Sequence, residues 1–425
     1  MAQRDIIGQA LRLGTEAAKH LPGSIARVAV VTAAVPVVAA AAVTGVDALR
    51  KRRTTGVHEA PEDDPHRTAV SDNTLTTYTY GQHLYEAMLE AIEGATDHVY
   101  LATYIWKSDS VGQLFKDALI AAAEREVKVF IVFDGFANLV VSSEFKSFPD
   151  TIQVIQFPTW RGGWMFDVRR TGRDHRKMLI VDGAVGFVGG YNIGAQYATQ
   201  WRDTHVRVEG DTVWELSNTF VDFWNRHCGP ARPQLPDSGA PRWNYPMRAA
   251  RNEPSRMVFP VRNIYLEAID RATDHLYITA AYFIPDREIL DGLLTAAARG
   301  IEVRVITPRS SNHIVADIVA RSYFAALLDG GVRIFLYKDA MVHAKTATAD
   351  GWWTTVGTAN IDRLSMRGNY EVNLEVVSRE QAEVMERIFE QDLGNCEELT
   401  RAEWDDRSLG HRLGERVLRP LQPLL

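Results

Sequence analysis

The stretch DHRKMLIVDGAVGFVGGYNIG, residues 174 to 194, concentrates side chains that can do acid–base and nucleophilic chemistry. It places an imidazole, an ammonium and a carboxylate close together in His175, Lys177 and Asp182, and a run of small residues leads to the amide of Asn192. An imidazole changes its charge near neutral pH and can serve as nucleophile, acid or base. One such cluster can arise by chance, so its meaning depends on whether the chain repeats it.

A second stretch, VHAKTATADGWWTTVGTANID, over residues 342 to 362, repeats the pattern. His343, Lys345 and Asp350 stand at the same spacing, and Asn360 follows its histidine at the same distance along the chain as in the first stretch. Isolated H-x-K pairs are common, but a shared register across two otherwise divergent segments is not. The repeat therefore predicts a site that is built twice from one unit.

Two more carboxylates recur at a fixed offset. Asp203, in WRDTHVRVEG, and Glu371, in NYEVNLEV, each follow the histidine of their own half by 28 residues. A carboxylate behind an imidazole fixes the tautomer and the orientation of the ring. We expect both residues to orient a histidine in this way, with Glu371 behind His343, the histidine of its own half.

These residue types suit a tetrahedral anion such as a phosphate diester. Lys177 and Lys345, with the amides of Asn192 and Asn360, would stabilise charge on the non-bridging oxygens. One histidine can attack phosphorus while the other protonates the leaving alcohol. Because no cluster of carboxylates suited to magnesium accompanies the motifs, we expect neither a metal ion nor another cofactor.

The surrounding elements must bring both sets of side chains to one place. HRKMLIVDG and HAKTATADG are typical of strands, in which residues two apart share a face, so histidine and lysine point the same way. Asp182 and Asp350 end these strands before a glycine, where a turn carboxylate is the alternative to a catalytic one. GGYNIG and GTANID are expected to form tight turns that bring backbone amides and the asparagines to the same spot.

The chain also repeats on a larger scale. LYEAMLEAIEGATDHVYLATYIW (84–106) resembles IYLEAIDRATDHLYITAAYFIP (264–285), and each combines a helical apolar period with a β-branched and aromatic strand. Further strands are predicted over 127–135 and 301–308. Helices that alternate with buried strands predict an α/β fold made of two duplicated lobes.

Two polar, Pro-containing stretches divide the chain into segments. We predict an amphipathic and hydrophobic membrane-anchoring segment over 1–53, a linker over 54–73, a first lobe over 74–230, a Pro-rich linker over 231–254, a second lobe over 255–397 and a tail over 398–425.

Composition and charge narrow the function classes. The net charge of −7 does not describe a polycation built to coat nucleic acid, and two cysteines are too few for a disulfide framework. Residues 28–46 carry no charge, and the positive charge is denser on their carboxyl side. A helix spanning a membrane there would leave the catalytic body on the cytoplasmic side of the cell membrane. A cleaved signal peptide and a soluble helix are the alternatives.

The paired H-x-K-x4-D and G-[GST]-x-N motifs resemble those of the phospholipase D superfamily. The segments RDHRKMLIVDG, GGYNIG, WRDTHVRVEG, AAYFIPD, GTANID and NYEVNLEV are similar, more narrowly, to those of bacterial cardiolipin synthases, and the resemblance covers 75–397. It implies two lobes related by a pseudo-twofold axis, each a central mixed β-sheet flanked by helices, with one active site between them. It also implies that His175 forms a phosphohistidine and that His343 is the general acid. Gly190 and Thr358 depart from the serine often found at their positions.

The resemblance further implies transfer of a phosphatidyl group from phosphatidylglycerol to a lipid alcohol at a membrane surface. The stretch before the first motif would suit a headgroup interface and anionic lipid through Trp160, Trp164, Phe166, Arg169, Arg170 and Arg173. Neither a nucleic acid nor an obligate protein partner is expected. Hydrolysis of phospholipids, a nuclease or other phosphodiesterase, and a lipid-binding protein without turnover are the alternatives.

Overall fold

The computed structural model describes residues 58–159, 172–237, 239–241 and 245–407. The predicted anchoring segment, including residues 28–46, and the aromatic residues of the stretch before the first motif lie outside the described residues. Within the described part of the chain, no helix has the length and apolar character needed to cross a bilayer.

The strands of the first half begin with a hairpin and continue through the first motif. They are β1 His66–Val70, β2 Asn73–Tyr78, β3 His98–Thr103, β4 Lys128–Asp134, β5 Gln153–Phe157, β6 Met178–Val181, β7 Val185–Gly189, β8 Trp201–Arg202 and β9 His205–Glu209. Those of the second half are β10 Met247–Arg251, β11 His275–Ala280, β12 Glu302–Pro308, β13 Arg333–Tyr337, β14 Met341–Val342, β15 Lys345–Ala349, β16 Trp353–Gly357, β17 Val372–Val377 and β18 Cys396–Leu399.

Helices cover the sheets that these strands form. They are α1 Gly81–Glu93, α2 Ser110–Glu124, α3 Ala195–Thr199, α4 Val213–His227, α5 Pro260–Arg271, α6 Arg287–Ala298, α7 Ile314–Asp329, α8 Arg363–Arg367, α9 Arg379–Leu393 and α10 Arg401–Asp405, with a 3₁₀ turn at Pro254–Arg256. The predicted helix–strand repeat is present as α1 followed by β3 and α5 followed by β11.

Each half of the chain builds one eight-stranded mixed sheet. The first has the order β1-β2-β9-β7-β6-β3-β4-β5 and the second β10-β17-β16-β15-β11-β12-β13-β18. Six consecutive strands correspond, because β9-β7-β6-β3-β4-β5 and β17-β16-β15-β11-β12-β13 occupy the same relative places. The prediction of an α/β fold with two duplicated lobes is confirmed.

The edges of the lobes differ from the predicted segments. The linker predicted over 54–73 is wrong for His66–Val70, which form β1, and the one predicted over 231–254 is wrong for Met247–Arg251, which form β10. β18, Cys396–Leu399, crosses the predicted boundary and extends the second lobe two residues into the predicted tail. Edge strands bury one face only, so their polar residues resemble a linker in the sequence.

A shared core joins the two sheets. Val188, Val206 and Phe220 of the first lobe belong to the same buried apolar cluster as Val356 and Leu374 of the second. We call the contact between the two sheets, along which this cluster runs, the seam. Continuous burial across the seam makes the two lobes one packed body, because separating them would expose this apolar surface to water. The seam therefore fixes the positions of the motif residues that lie along it.

Candidate active site

Each histidine motif enters its sheet at the seam between the lobes. His175 and Lys177 lie just before β6, whereas His343 lies just before β15 and Lys345 is its first residue. All four side chains are buried. Because histidine and lysine are two residues apart on extended chain, both point to the same side, as predicted.

Glu371 of the second lobe holds the histidine of the first. The backbone N–H of His175 donates to the carbonyl of Tyr370 at 3.0 Å, so the segment before His175 and the segment before Glu371 run side by side. This pairing places the carboxylate of the next residue against the ring, with 2.9 Å between His175 Nδ1 and Glu371 Oε2. Glu371 is completely buried.

The second histidine is held by the equivalent arrangement, with the roles of the two lobes exchanged. The backbone N–H of His343 donates to the carbonyl of Arg202 at 2.7 Å, and Asp203, the next residue, lies with Oδ2 at 2.6 Å from His343 Nδ1. The expected pairing of Glu371 with His343 in one lobe is therefore wrong. Each carboxylate orients the histidine of the other lobe, because the segments that precede them pair across the seam.

Two buried lysines surround the rings with positive charge. Lys177 Nζ donates to the carbonyl of His175 at 2.7 Å, and Lys345 Nζ donates to the carbonyl of His343 and lies 2.8 Å from its Nδ1. Burial lowers the pKa of Lys177 to about 7 and that of Lys345 to about 8. These ammonium groups are costly to keep charged in the free site, and an incoming anion would relieve that cost.

Both imidazoles favour the neutral form. Burial lowers the pKa of His175, although Glu371 opposes the shift. Burial, reinforced by Lys345 and Lys177, lowers the pKa of His343 further. Since Nδ1 of each ring faces a carboxylate, Nε2 is the nitrogen left for chemistry at the seam.

The residues before the two asparagines explain why the carboxylates differ in length. Thr358 Oγ1 donates to Glu371 Oε2 at 2.6 Å, the same oxygen that faces His175. At the corresponding position of the first lobe, a Cβ on Gly190 would overlap the carboxylate of Asp203. Glycine thus provides the space into which the shorter aspartate folds back, which accounts for the departure from serine.

We expect Gly190→Ala to lower kcat by about 10- to 100-fold, because the new methyl group displaces Asp203 and leaves the ring of His343 unsupported. Steady-state kinetics on the purified variant measure this. Thr358→Ser is the matched control, since it keeps the hydroxyl on Glu371 and should retain nearly full activity. Wild-type kcat in Gly190→Ala would contradict the assignment of this space to Asp203.

The two asparagines follow their motifs into the same region. Asn192 is buried, and its Oδ1 accepts from the backbone N–H of Ile105 at 3.1 Å. Asn360 is also buried, and within the described residues its Oδ1 has no hydrogen-bond partner. With the oxygen of Asn192 engaged, its amide nitrogen is the group that can donate to an anion. Phosphate binding by Asn192 and Asn360 stays a prediction.

Asp182 and Asp350 do not belong with the histidines. Asp182 lies at the far end of β6, where it accepts hydrogen bonds from three backbone N–H groups, of Thr96, Asp97 and His98, and from the hydroxyl of Thr96. Asp350 makes the same four bonds in the second lobe. Their predicted catalytic role is corrected to a structural one: they tie the turn after the strand to the loop before β3 or β11.

Asp182→Asn should lower the free energy of unfolding by about 2 kcal/mol, because an amide cannot accept from every donor that the carboxylate satisfies. Urea denaturation measures this, with Asp350→Asn as the equivalent change in the second lobe. Those hydrogen bonds lower the pKa of Asp182 in the folded state, so its contribution is present above the unfolded pKa and is lost as pH falls through the folded one. Loss of kcat in fully folded protein would return Asp182 to the catalytic set.

Sequence analysis did not predict several residues that lie at the site. The ring of Tyr104 lies 4.6 Å from that of His175, and the ring of Trp201 lies 4.9 Å from that of His343. Asp134 Oδ2 accepts from the backbone N–H of Asp174 at 3.2 Å, and burial raises its pKa to about 6. The signal for Tyr104 and Asp134 is their place directly after or at the end of parallel strands, the edge where ligands bind in α/β sheets.

The chain is similar to known proteins over both lobes. The profile of the family described as "Cardiolipin synthase, PLD-like domain" matches residues 88–224 and 265–393, one match in each lobe. The chain is 32% identical over 383 residues to the major cardiolipin synthase ClsA of Bacillus subtilis, covering 85% of this chain and 77% of that protein. It is 31% identical over 364 residues to the cardiolipin synthase of Oceanobacillus iheyensis, covering 84% and 76%. The crystal structure of phosphatidylserine synthase from Haemophilus influenzae has the same fold, with a TM-score of 0.62 and 14% identity over 85% of this chain and 95% of that one.

Proposed function

The chain belongs to the family of cardiolipin synthases with phospholipase D-like domains, which are phosphatidyltransferases, and from this premise we propose that it moves a phosphatidyl group from phosphatidylglycerol to a second lipid alcohol through a phosphohistidine at His175. The observation that carries the proposal is the crossed support of the two rings, His175 by Glu371 and His343 by Asp203. It leaves two Nε2 atoms, backed by two buried lysines, for one phosphodiester.

In the first step, Nε2 of His175 attacks phosphorus and the bond from phosphorus to the glycerol oxygen breaks. The proton on Nε2 of His343 passes to that oxygen, so glycerol leaves as a neutral alcohol. Glu371 stabilises the positive charge that develops on the ring of His175. Lys177 and Lys345 stabilise the charge on the non-bridging oxygens.

In the second step, Nε2 of His343 removes the proton from the acceptor hydroxyl. The oxygen attacks phosphorus, the bond to His175 breaks, and the first ring returns to its neutral form. With two phosphatidylglycerol molecules, the products are cardiolipin and glycerol, and atoms and charge balance over the two steps.

Charge within the site supports the supply of that proton. Both rings favour the neutral form, and burial lowers the pKa of both lysines, so the free site holds less positive charge than its four basic side chains could carry. A phosphodiester brings one negative charge, which raises the pKa values of the buried rings and favours uptake of one proton. The bound anion thus creates the imidazolium that His343 needs as an acid.

The setting of the reaction is part of the proposal. We place the protein at the cell membrane with the catalytic body on the cytoplasmic side, as the charge around residues 28–46 indicates. Catalysis depends on histidine and lysine side chains, and we expect it to proceed without a metal ion or another cofactor.

The test is a product assay on the purified full chain with phosphatidylglycerol. We expect cardiolipin and free glycerol in equal amounts. A chelator should leave these yields unchanged, whereas another added alcohol should change the lipid product. Phosphatidic acid in place of cardiolipin would assign hydrolysis. Strongly salt-dependent cleavage of nucleic acid with no lipid product would overturn the proposal in favour of a nuclease.

A further inference from the structure

Most of the exposed large apolar side chains lie near the chain segment that leads to His175. The described part of the chain exposes nine such side chains, and six of them lie on three segments next to the site. We define the apolar rim as Phe136, Leu139, Val140, Met257, Val258 and Leu364. Apolar residues scattered singly over a surface are ordinary, whereas a group that borders a site marks a binding surface.

The first segment of the apolar rim follows β4 and lies against the chain that leads to His175. Asp134, the last residue of β4, accepts from the backbone N–H of Asp174. Two residues on, the ring of Phe136 lies 4.5 Å from the guanidinium carbon of Arg173. Val140, at the tip of this loop, is 71% exposed, the largest value in the rim.

The other two segments come from the second lobe and meet the same stretch of chain. A Cβ on Gly172 would lie 3.1 Å from Cγ of Pro254, in the turn that carries Met257 and Val258. Asn369 accepts from the backbone N–H of Arg173 and donates its own N–H to the carbonyl of Leu364 at 2.7 Å. Both lobes therefore place apolar residues around the segment that enters the site.

We propose that the apolar rim inserts into the surface of a lipid bilayer and holds the seam over the headgroups, an inference that rests on the proposed function. A diacyl substrate keeps its acyl chains in the bilayer, so the phosphate can reach the buried histidines only if the protein lies against the membrane. Side chains on turns and loop tips of two lobes can enter the interfacial layer together.

The charges near the rim favour a bilayer over a nucleic acid. Arg256 lies 3.7 Å from Glu253, and Arg367 lies 3.6 Å from Asp286, so these two basic side chains near the rim have acidic neighbours. A polyanion requires unbalanced positive charge along its path. Insertion of apolar side chains does not, and binding through the rim should persist at high salt.

The first experiment measures sedimentation of the full chain with vesicles of phosphatidylcholine and phosphatidylglycerol. Val140→Asp should weaken binding to the vesicles by about tenfold or more, because a carboxylate replaces an apolar side chain that would be buried in the bilayer surface. Val377→Asp is the matched control: Val377 is 57% exposed, but it ends β17, about 20 Å along the strand from Glu371. Equal binding by Val140→Asp and wild type would overturn the inference.

Turnover separates this inference from the proposed function. With a short-chain phosphatidylglycerol below its micelle concentration, Val140→Asp should match wild type, because no bilayer is involved. Absence of lipid products with wild type would overturn the proposed function, whereas vesicle binding would still test the rim. Loss of short-chain turnover in Val140→Asp, or a change in its oligomeric state without a change in vesicle binding, would count against docking.

A thiol-reactive, environment-sensitive fluorophore tests insertion even if residues outside the rim also bind the membrane. On Val140→Cys its emission should shift to shorter wavelength when vesicles are added, whereas on Val377→Cys it should not. Cys228 is buried, and burial raises the pKa of Cys396 to about 12, so neither native thiol competes strongly for the label. No shift at Val140 on vesicle-bound protein would overturn the inference.

Discussion

His175→Ala should lower kcat for phosphatidyl transfer by on the order of 10⁵-fold, because the proposed reaction forms its covalent bond to phosphorus at Nε2 of this ring. The ring lies in a buried position, with Nδ1 held by Glu371, so only Nε2 can attack. A water molecule would have to replace it without that support. The measurement is cardiolipin formation from phosphatidylglycerol by purified wild type and variant.

The control for this loss is His98→Ala. His98 also stands in the first lobe, at the start of β3, but its ring lies beside Asp97 and Tyr100 at the far end of β6. We expect it to keep most of the activity. Cardiolipin formation by His175→Ala within tenfold of wild type would remove that residue from the role of nucleophile.

The second large effect concerns the carboxylates that cross the seam. Glu371→Gln should lower kcat by about 10³-fold with little change in KM, because the amide can neither fix the tautomer of His175 nor stabilise its positive charge. Asp203→Asn should give a comparable loss through His343. Kinetics with the natural donor measure both losses but do not tell which histidine each carboxylate serves.

An activated donor makes that distinction. A phosphatidyl ester of p-nitrophenol needs no acid to expel its leaving group, so it bypasses the first task of His343. We expect the burst of nitrophenol to be restored in Asp203→Asn and to remain slow in Glu371→Gln. The opposite pattern would mean either that His343 is the nucleophile or that each carboxylate serves the histidine of its own lobe, and either result would contradict the proposed reaction.

The sequence predicts the fold class, which is confirmed, and most of the candidate site residues, because the fold unit and the motif each occur twice in the chain. The common offsets of histidine, lysine, asparagine and carboxylate identified two copies of one unit, and the ATDH turns showed that helices and strands repeat with them. A duplicated α/β unit with buried strands leaves few architectures open. The strands around Lys177 and Lys345 followed directly from that pattern.

The crossing of Glu371 to His175 could not be predicted in the same way. An offset along the chain is equal in both lobes and says nothing about which lobe supplies the partner. The outcome depends on the backbone bonds from His175 to Tyr370 and from His343 to Arg202, which form only when the lobes pack. Asp182 illustrates a second reason why the sequence alone is not sufficient. Its spacing from the histidine is the same in both halves, but a turn that both halves need produces the same repeat as a catalytic carboxylate.

Composition also misled at the sheet edges. His66–Val70 is polar enough to resemble a linker, yet it pairs with β2 along its whole length. An edge strand needs hydrogen-bonding partners on one side and only modest apolar burial. The prediction failed there because the partner strand, which decides the matter, is not visible in local composition.

The proposed reaction is tested most directly by identifying the atom that carries the phosphatidyl group. The activated donor is mixed with His343→Asn, which can form the intermediate but lacks the base that transfers it, and the protein is digested under alkaline conditions, in which a phosphohistidine survives. We expect the phosphatidyl mass on the peptide that contains His175, in amounts equal to the nitrophenol burst. No adduct on His175 despite a full burst would contradict a phosphohistidine at this residue.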